Sequence, residues 1–303
     1  MLFSDRPAHA KRRALREGLA SGRLLRLPGA FSPLVARVLE EQGWDGVYIS
    51  GAVIAADLGL PDIGLTGLNE VADRGRVIAR ATDLPALLDA DTGFGEAVNV
   101  ARTVQELEDA GVAALHLEDQ ENPKRCGHLD HKRLVDTPSM LRRVRAAVEA
   151  RRDDALVIVA RTDARAVEGL ESAVERARAY VDAGADAVFP EALESADEFA
   201  AFRDALDVPL LANMTEFGKS PLLDAAELER IGYNMVIYPV TSLRLAMGAV
   251  EAGLAQLKAE GTQQALLGAM QTRARLYEVL DYRAYNAFDQ GVYDFTLDEG
   301  SRS

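Results

Sequence analysis

Asp109-Ala110-Gly111-Val112-Ala113-Ala114-Leu115-His116-Leu117-Glu118 reads as the end of a helix, a glycine stop, and an apolar strand that closes on a carboxylate. Upstream, Glu96 to Ala110 has helical character, and Gly111 stands where a helix needs a residue tolerant of left-handed backbone. Ala113 to Glu118 is short and dominantly apolar, as a strand of a parallel sheet covered on both faces should be.

The same sentence recurs along the chain. Helix Leu170 to Ala183 ends at Gly184 and leads into Ala187-Val188-Phe189-Pro190-Glu191. Helix Ala225 to Ile231 ends at Gly232 and leads into Met235-Val236-Ile237-Tyr238-Pro239. Ser32 can cap a helix from Pro33 to Gln42, which stops at Gly43 before Gly46-Val47-Tyr48-Ile49-Ser50-Gly51. Further strands read as Leu24 to Ala30, Ala86 to Asp91, Leu156 to Arg161 and Pro209 to Asn213. Eight strand–helix units in one run predict an α/β fold of the (β/α)8 TIM-barrel type. No GxGxxG follows the first strand, which disfavours a dinucleotide-binding sheet. The chain reads as one domain over residues 1–303. A first helix occupies about 1–22, the barrel 24–257, a helical extension 258–289, and a loose tail 290–303.

Composition narrows the function. Hydrophobic residues make up 48% and charged residues 27%, enough for a large core. The net charge of −14 disfavours nucleic acid or an anionic membrane as partner, but leaves room for a small anionic substrate at a local cationic pocket. One cysteine in 303 residues excludes an internal disulfide and fits a reducing, cytoplasmic setting. Neither a signal peptide nor an 18-residue apolar run is evident.

Barrel enzymes build their sites at the carboxyl ends of the strands. Read that way, the chain places Tyr48, Ser50 and Gly51 after strand two, Asp89 and Asp91 after strand three, and His116, Glu118 and Asp119 after strand four. Arg161 and Asp163 follow strand five, Glu191 strand six, and Asn213, Met214 and Thr215 strand seven. Any one of these could be a satisfied polar group or a cap; their recurrence on strand after strand is the signal. Asp89 and Asp91, two apart, should share a strand face. Two carboxylates that close call for a cation between them, and hard oxygen ligands favour Mg²⁺, with Mn²⁺ as a substitute. Glu118 and the loop residue Asp62 can complete the shell. Absence of clustered Cys/His spacing disfavours zinc. Arg161 is a fork for a substrate carboxylate, with an ion pair to Asp163 or Glu191 as the plainer reading; Arg244 and Arg273 are further candidates.

Lys124-Arg125-Cys126-Gly127-His128 holds the lone cysteine in a polar run. Flanking cations favour a reactive thiol over an inert core residue.

This pentapeptide resembles the Cys-Gly-His signature of the isocitrate lyase family. Leu58 to Asp62, Asp89 to Gly95, His116 to Gln120, Ala160 to Asp163, Phe189 to Ala192, Ala212 to Gly218 and Met270 to Arg273 extend the resemblance, from about residue 20 to 288. Within the isocitrate lyase and phosphoenolpyruvate mutase superfamily the pattern is similar to the 2-methylisocitrate lyases. The resemblance implies a barrel whose eighth helix is exchanged between subunits, in a homotetramer. It implies Mg²⁺ around Asp89, Asp91, Asp62 and Glu118, and a mobile loop carrying Cys126. It also implies substrate binding by Ser50, Gly51, Ala52, Cys126, Gly127, Arg161, Glu191, Asn213, Met214, Thr215, Arg244 and Arg273. Ala52 stands where glycine is common. The implied reaction is a retro-aldol cleavage of 2-methylisocitrate, a small tricarboxylate, to pyruvate and succinate. Tyr48 would be the base, its phenol acidified by nearby cations, and Cys126 the acid, with Arg161 and His128 among the catalytic set. Phe189 with Pro239-Val240 fits the methyl-bearing substrate, where isocitrate lyases carry tryptophan and a Thr-Leu pair. Isocitrate cleavage, and the mutase, phosphonate hydrolase and decarboxylase chemistries of the superfamily, are the alternatives. A non-catalytic scaffold is disfavoured by the intact set of polar residues.

Overall fold

A computed structural model describes residues 4–129 and 131–294. Eight parallel strands form in chain order: β1 (Leu25–Pro28), β2 (Val47–Ile49), β3 (Ala86–Asp89), β4 (Ala114–Glu118), β5 (Val157–Thr162), β6 (Ala187–Pro190), β7 (Leu211–Asn213) and β8 (Met235–Tyr238). Strands β2 to β6 pair consecutively, and β1 pairs with β8, which pairs with β7. Single bridges, Gly29 to Tyr48 and Val188 to Leu210, join the two groups into a closed barrel. The expected (β/α)8 architecture is therefore the one observed.

Local chemistry accounts for the boundaries. Ser32 accepts from the Val35 amide and Pro33 opens the helix Pro33–Glu41. Gly111 and Gly232 end their helices with φ of 91° and 101°, a region that L side chains avoid. Strand residues divide between two apolar layers. Leu27, Leu87, Val157, Val159, Phe189 and Ile237 fill the barrel with Tyr48; Leu88, Leu115 and Ile158 pack outward against the helices. The first helix, Ala8–Ala20, closes the amino-terminal end of the barrel. Its Leu15 and Leu19 join the interior cluster, and its Arg12 and Arg16 donate to the carbonyls of Val112 and Leu156.

The carboxyl-terminal region departs from that economy. The eighth helix, Thr241–Glu260, runs for 20 residues and buries none of them. Leu245 is 71% exposed and Leu254 59%. Beyond it come a 3-10 turn (Gln264–Ala269) and helices Arg273–Val279 and Tyr282–Tyr293. Helix thus continues into the first residues of the stretch read as a loose tail; residues 295–303 of that stretch lie outside the described residues.

Candidate active site

The polar strand ends converge at one mouth, with a loop laid across it. Asp89 ends β3. Asp91 lies past the strand in left-handed backbone (φ 46°), so the pair does not share a pleat as expected; the turn at Ala90 and Asp91 brings the carboxylates together instead. Asp89 Oδ1 accepts from the Asp91 amide at 3.0 Å, and Asp89 Oδ2 from the Gly51 amide at 3.2 Å. A Cβ on Gly51 would lie 3.0 Å from Asp89 Oδ2 and 3.2 Å from Asp91 Oδ1, so glycine lets both carboxylates approach the start of the helix Gly51–Asp57.

Charge in this pocket is unevenly shared. Burial raises Asp91 to about 6, and Asp89 beside it adds to the rise. Burial would raise Asp89 too, but His116, Lys124 and Arg161 hold it below its ordinary value. Glu118 is pushed well up by burial, against the pull of Arg161 and Lys124. The Lys124 ammonium sits among these groups, 2.7 Å from Asp91 Oδ1 and paired with Asp62. Glu118 Oε1 is buried without a hydrogen bond, and Asp91 Oδ1 has only the ion-pair contact.

Those two oxygens are the test of a metal. Among the described residues no three ligating side chains close on one point. Mg²⁺ does not require that, since it keeps several waters and is held by one or two carboxylates plus substrate. Asp89 and Asp91, with under-satisfied oxygens on Asp91 and Glu118, fit that manner of binding.

Deeper in the barrel, Tyr48 Oη and His116 Nε2 lie 2.8 Å apart, and Asp89 Oδ1 is 3.6 Å from the same nitrogen. Burial lowers His116 to about 4, so the ring is neutral. The expected acidification of Tyr48 is not found. Burial, Asp89, Glu191 and Asp91 drive its phenol well above 10, and only Arg161 opposes them.

Arg161 is the hub of the far side. Its guanidinium meets Asp163 at 3.0 Å, Glu118 at 3.3 Å and Glu191 at 3.3 Å, and lies 5.1 Å over the Phe189 ring. The ion-pair reading of Arg161 is thus realised in this state. Phe189 is fully buried and acts as a floor under Arg161 and, edge-on, His116 (5.3 Å). Asn213 donates to Glu191 at 3.2 Å. Arg161, His128 and Lys132 hold Glu191 far below the usual carboxylate range, overcoming its burial.

The Cys126 loop is down on this hub. A Cβ on Gly127 would stand 2.4 Å from both Arg161 Nη2 and Glu191 Cγ, so only glycine permits the approach. His128 accepts from the Lys219 amide through Nδ1 (3.0 Å), leaving Nε2 to donate to Glu191 (2.8 Å). The flanking cations do not activate the thiol as expected. Lys124 is turned to Asp62 and Asp91, and Arg125 toward the carbonyls of Pro123 and Lys124. Burial therefore raises the Cys126 thiol, and Glu191 and Asp62 add to it against the His128 amide and Arg161. The group is a protonated thiol, suited to giving a proton rather than attacking.

The remaining candidates divide. Ser50 is buried at the start of helix Gly51–Asp57, with Ala52 one residue inside it. Thr215 lies 3.5 Å from Arg244, whose main partner is Glu216 at 2.6 Å. Met214 is packed in the outer apolar layer with Leu210, Ala212 and Val236 rather than turned to the mouth. Arg273 opens an exposed helix that docks on Pro33–Glu41 through Arg275 and Glu41, away from the mouth. Sequence reasoning missed Lys124 and Lys132 as site residues. Lys124 reads only as a cation flanking the thiol and Lys132 carries no signal, yet both residues are buried.

The sequence profile of the phosphoenolpyruvate phosphomutase family matches residues 15–258. A probable 2-methylisocitrate lyase of Corynebacterium glutamicum is 62% identical over 98% of this chain and 97% of its own. A solved oxaloacetate acetylhydrolase in complex with 3,3-difluorooxalacetate superposes with a TM-score of 0.89 at 35% identity, covering 97% of this chain and all of that one. Phosphonopyruvate hydrolase, solved with oxalate and Mg²⁺, superposes with a TM-score of 0.85 at 32% identity, over 92% of this chain and 98% of that one. Strand-end carboxylates, cysteine loop and full-length likeness agree: the chain belongs to the phosphoenolpyruvate mutase/isocitrate lyase superfamily.

Proposed function

We propose that the chain is a carbon–carbon lyase that cleaves 2-methylisocitrate to pyruvate and succinate. The observation that carries this is a protonated Cys126 poised on a closed loop opposite an acidic pocket and beside Arg161. The 62% identity to a probable 2-methylisocitrate lyase supports the substrate.

The reaction needs a place for three carboxylates, a proton acceptor and a proton donor. Arg161 and Arg244 supply cationic forks, once substrate replaces Glu118 or Glu191 and Glu216 as their partners. Asn213, Thr215 and the Gly127 region complete the walls. Asp89 and Asp91 would hold Mg²⁺, with Asp62 and Glu118 at its periphery. The chemistry Mg²⁺ supplies when bound is neutralisation of that acidic pocket and polarisation of the oxygen that becomes the carbonyl of the 2-oxo acid. Tyr48, protonated in this state, would take the hydroxyl proton as it passes its own to neutral His116 Nε2, 2.8 Å away. As the C–C bond breaks, its electron pair passes to the carbon beside a carboxylate, giving the enediolate of succinate. Cys126 protonates that carbon. The loop keeps water out while this happens.

Phe189 sets specificity from below, by fixing the height of Arg161. One methyl group is worth about 1–3 kcal/mol, so slow isocitrate cleavage accompanies the main reaction. The exposed eighth helix supports exchange of that helix between subunits of a tetramer.

The test is release of 2-oxo acid from 2-methylisocitrate and isocitrate in parallel, with Mg²⁺ and then EDTA. Preferred, EDTA-sensitive pyruvate release is expected; preferred glyoxylate release, or release from neither, would overturn the assignment.

A further inference from the structure

The loop across the mouth has a closed neck. The Glu121 amide donates to the Arg133 carbonyl at 2.8 Å, and the Val135 amide to Asp119 at 2.9 Å. Lys132 belongs to this neck, not to the loop tip, yet its side chain points inward and is 1% exposed. Its ammonium has two partners: the Gly127 carbonyl, one residue past the thiol, and Asp163 Oδ1 at 3.0 Å. Asp163 is the same carboxylate that grips Arg161, at 3.0 Å through Oδ2 and 3.3 Å through Oδ1. It is itself fixed, since its amide donates to Asp119 at 2.9 Å, and Asp119 also takes bonds from Thr162 and Tyr180. One anchored carboxylate thus orients two cations. One cation is the fork facing the substrate; the other holds the backbone beside the proton donor.

We propose that Lys132 is a positioning residue: by clamping the Gly127 carbonyl against Asp163, it sets Cys126 over the mouth in register with Arg161. This rests on the lyase reading for the roles of Cys126 and Arg161. The clamp itself is a statement about the loop and can be tested without any substrate. A charged donor bound to a buried carbonyl is a strong tie, and its loss leaves the carbonyl unpaired. Lys132→Met removes the tie and one positive charge while leaving Asp163 paired with Arg161, so that carboxylate keeps a cationic partner.

Cys126 is the lone cysteine, so its reaction with a disulfide reagent such as dithionitrobenzoate reads the loop directly. Lys132→Met is expected to raise the labelling rate by at least about tenfold, the lower bound for losing a hydrogen bond to a charged group. Electrostatics alone would act the other way, because removing a cation near a thiol lowers its thiolate fraction. In turnover, kcat is expected to fall by up to about 100-fold with a smaller change in KM, because the clamp orients groups rather than binding substrate. Lys132→Arg should recover part of both. Unchanged labelling and kcat in Lys132→Met would overturn the clamp. So would a loss of kcat with unchanged labelling. Failure of the unaltered enzyme to cleave 2-methylisocitrate would refute the lyase reading while leaving the labelling result intact.

Should the methionine variant not fold, Lys132→Gln, which shortens the side chain and removes the charge but stays polar, carries the labelling test; a labelling rate equal to that of the unaltered protein would overturn the proposal.

Discussion

At Cys126, proton donation depends on a thiol that stays protonated until the carbanion forms, and the burial that raises it provides for that. Cys126→Ser, whose hydroxyl is a far weaker acid, is expected to lower kcat by roughly 10²–10⁴-fold. Its melting temperature should stay within the range of a surface change, as scanning calorimetry would check. Asp91 gives a pH prediction with the opposite sense to most carboxylates. Its folded-state value lies above its ordinary 3.8, at about 6, so the folded protein binds the proton more tightly than the unfolded chain. The stability it contributes is full below 3.8 and lost as pH rises through 6. Without Mg²⁺, Asp91→Asn should therefore stabilise the protein at pH 8, by about 1–3 kcal/mol, and lose that advantage in acid. Thermal melts in EDTA across pH would show it, and the same variant should lose Mg²⁺-dependent turnover. Residues whose chemistry faces one pocket, such as Asp89, Glu118 and Arg161, were legible in the sequence because each ends an apolar run. The protonation of Tyr48 and Cys126 was not. It depends on which way Lys124 and Arg161 point, and that is fixed by partners scattered from residue 62 to 191.

The loop is the element where geometry constrains most. Gly127 has no room for a methyl group against Arg161 and Glu191. Gly127→Ala should hold the loop off the mouth and cost on the order of 100-fold in kcat, with a small effect on folding. Steady-state kinetics beside a thermal melt would separate the two. Helices and strands were readable from their stops, Gly111 and Gly232 above all, because a left-handed residue leaves a mark in composition. The turn at Asp91 was not readable: a non-glycine residue at positive φ carries no such mark, and the alternation of a strand suggested a different geometry for the same pair.

On the scale of the molecule, the eighth helix, Thr241–Glu260, is tied to its own barrel at its first turn, Thr241 to Glu216 and Ser242 to Gly29, and leaves Leu245, Met247, Val250 and Leu254 exposed. If that face is covered by a neighbouring subunit in the proposed tetramer, Leu245→Glu with Leu254→Glu should shift the sedimenting mass toward 32.7 kDa and lower Tm. Residues 258–289 read in the sequence as a helical extension, but the sequence carries no sign of what covers the helix before it, since periodicity says only that apolar area must be buried somewhere.

The closure of the barrel is uneven, and this bears on how it comes apart. The ladders within β2 to β6 and within β7, β8 and β1 are continuous, while each junction between these groups rests on one bridge. Ala30 donates to the Tyr48 carbonyl at one junction, and Val188 to the Pro209 carbonyl at the other. Those two amides should exchange with solvent sooner than those inside β4 or β5, as the barrel parts along its seams into a five-strand leaf and a three-strand leaf before either leaf melts. One seam passes beside Tyr48, so the same weak line that governs dissolution of the fold borders the residue proposed to take the substrate's proton.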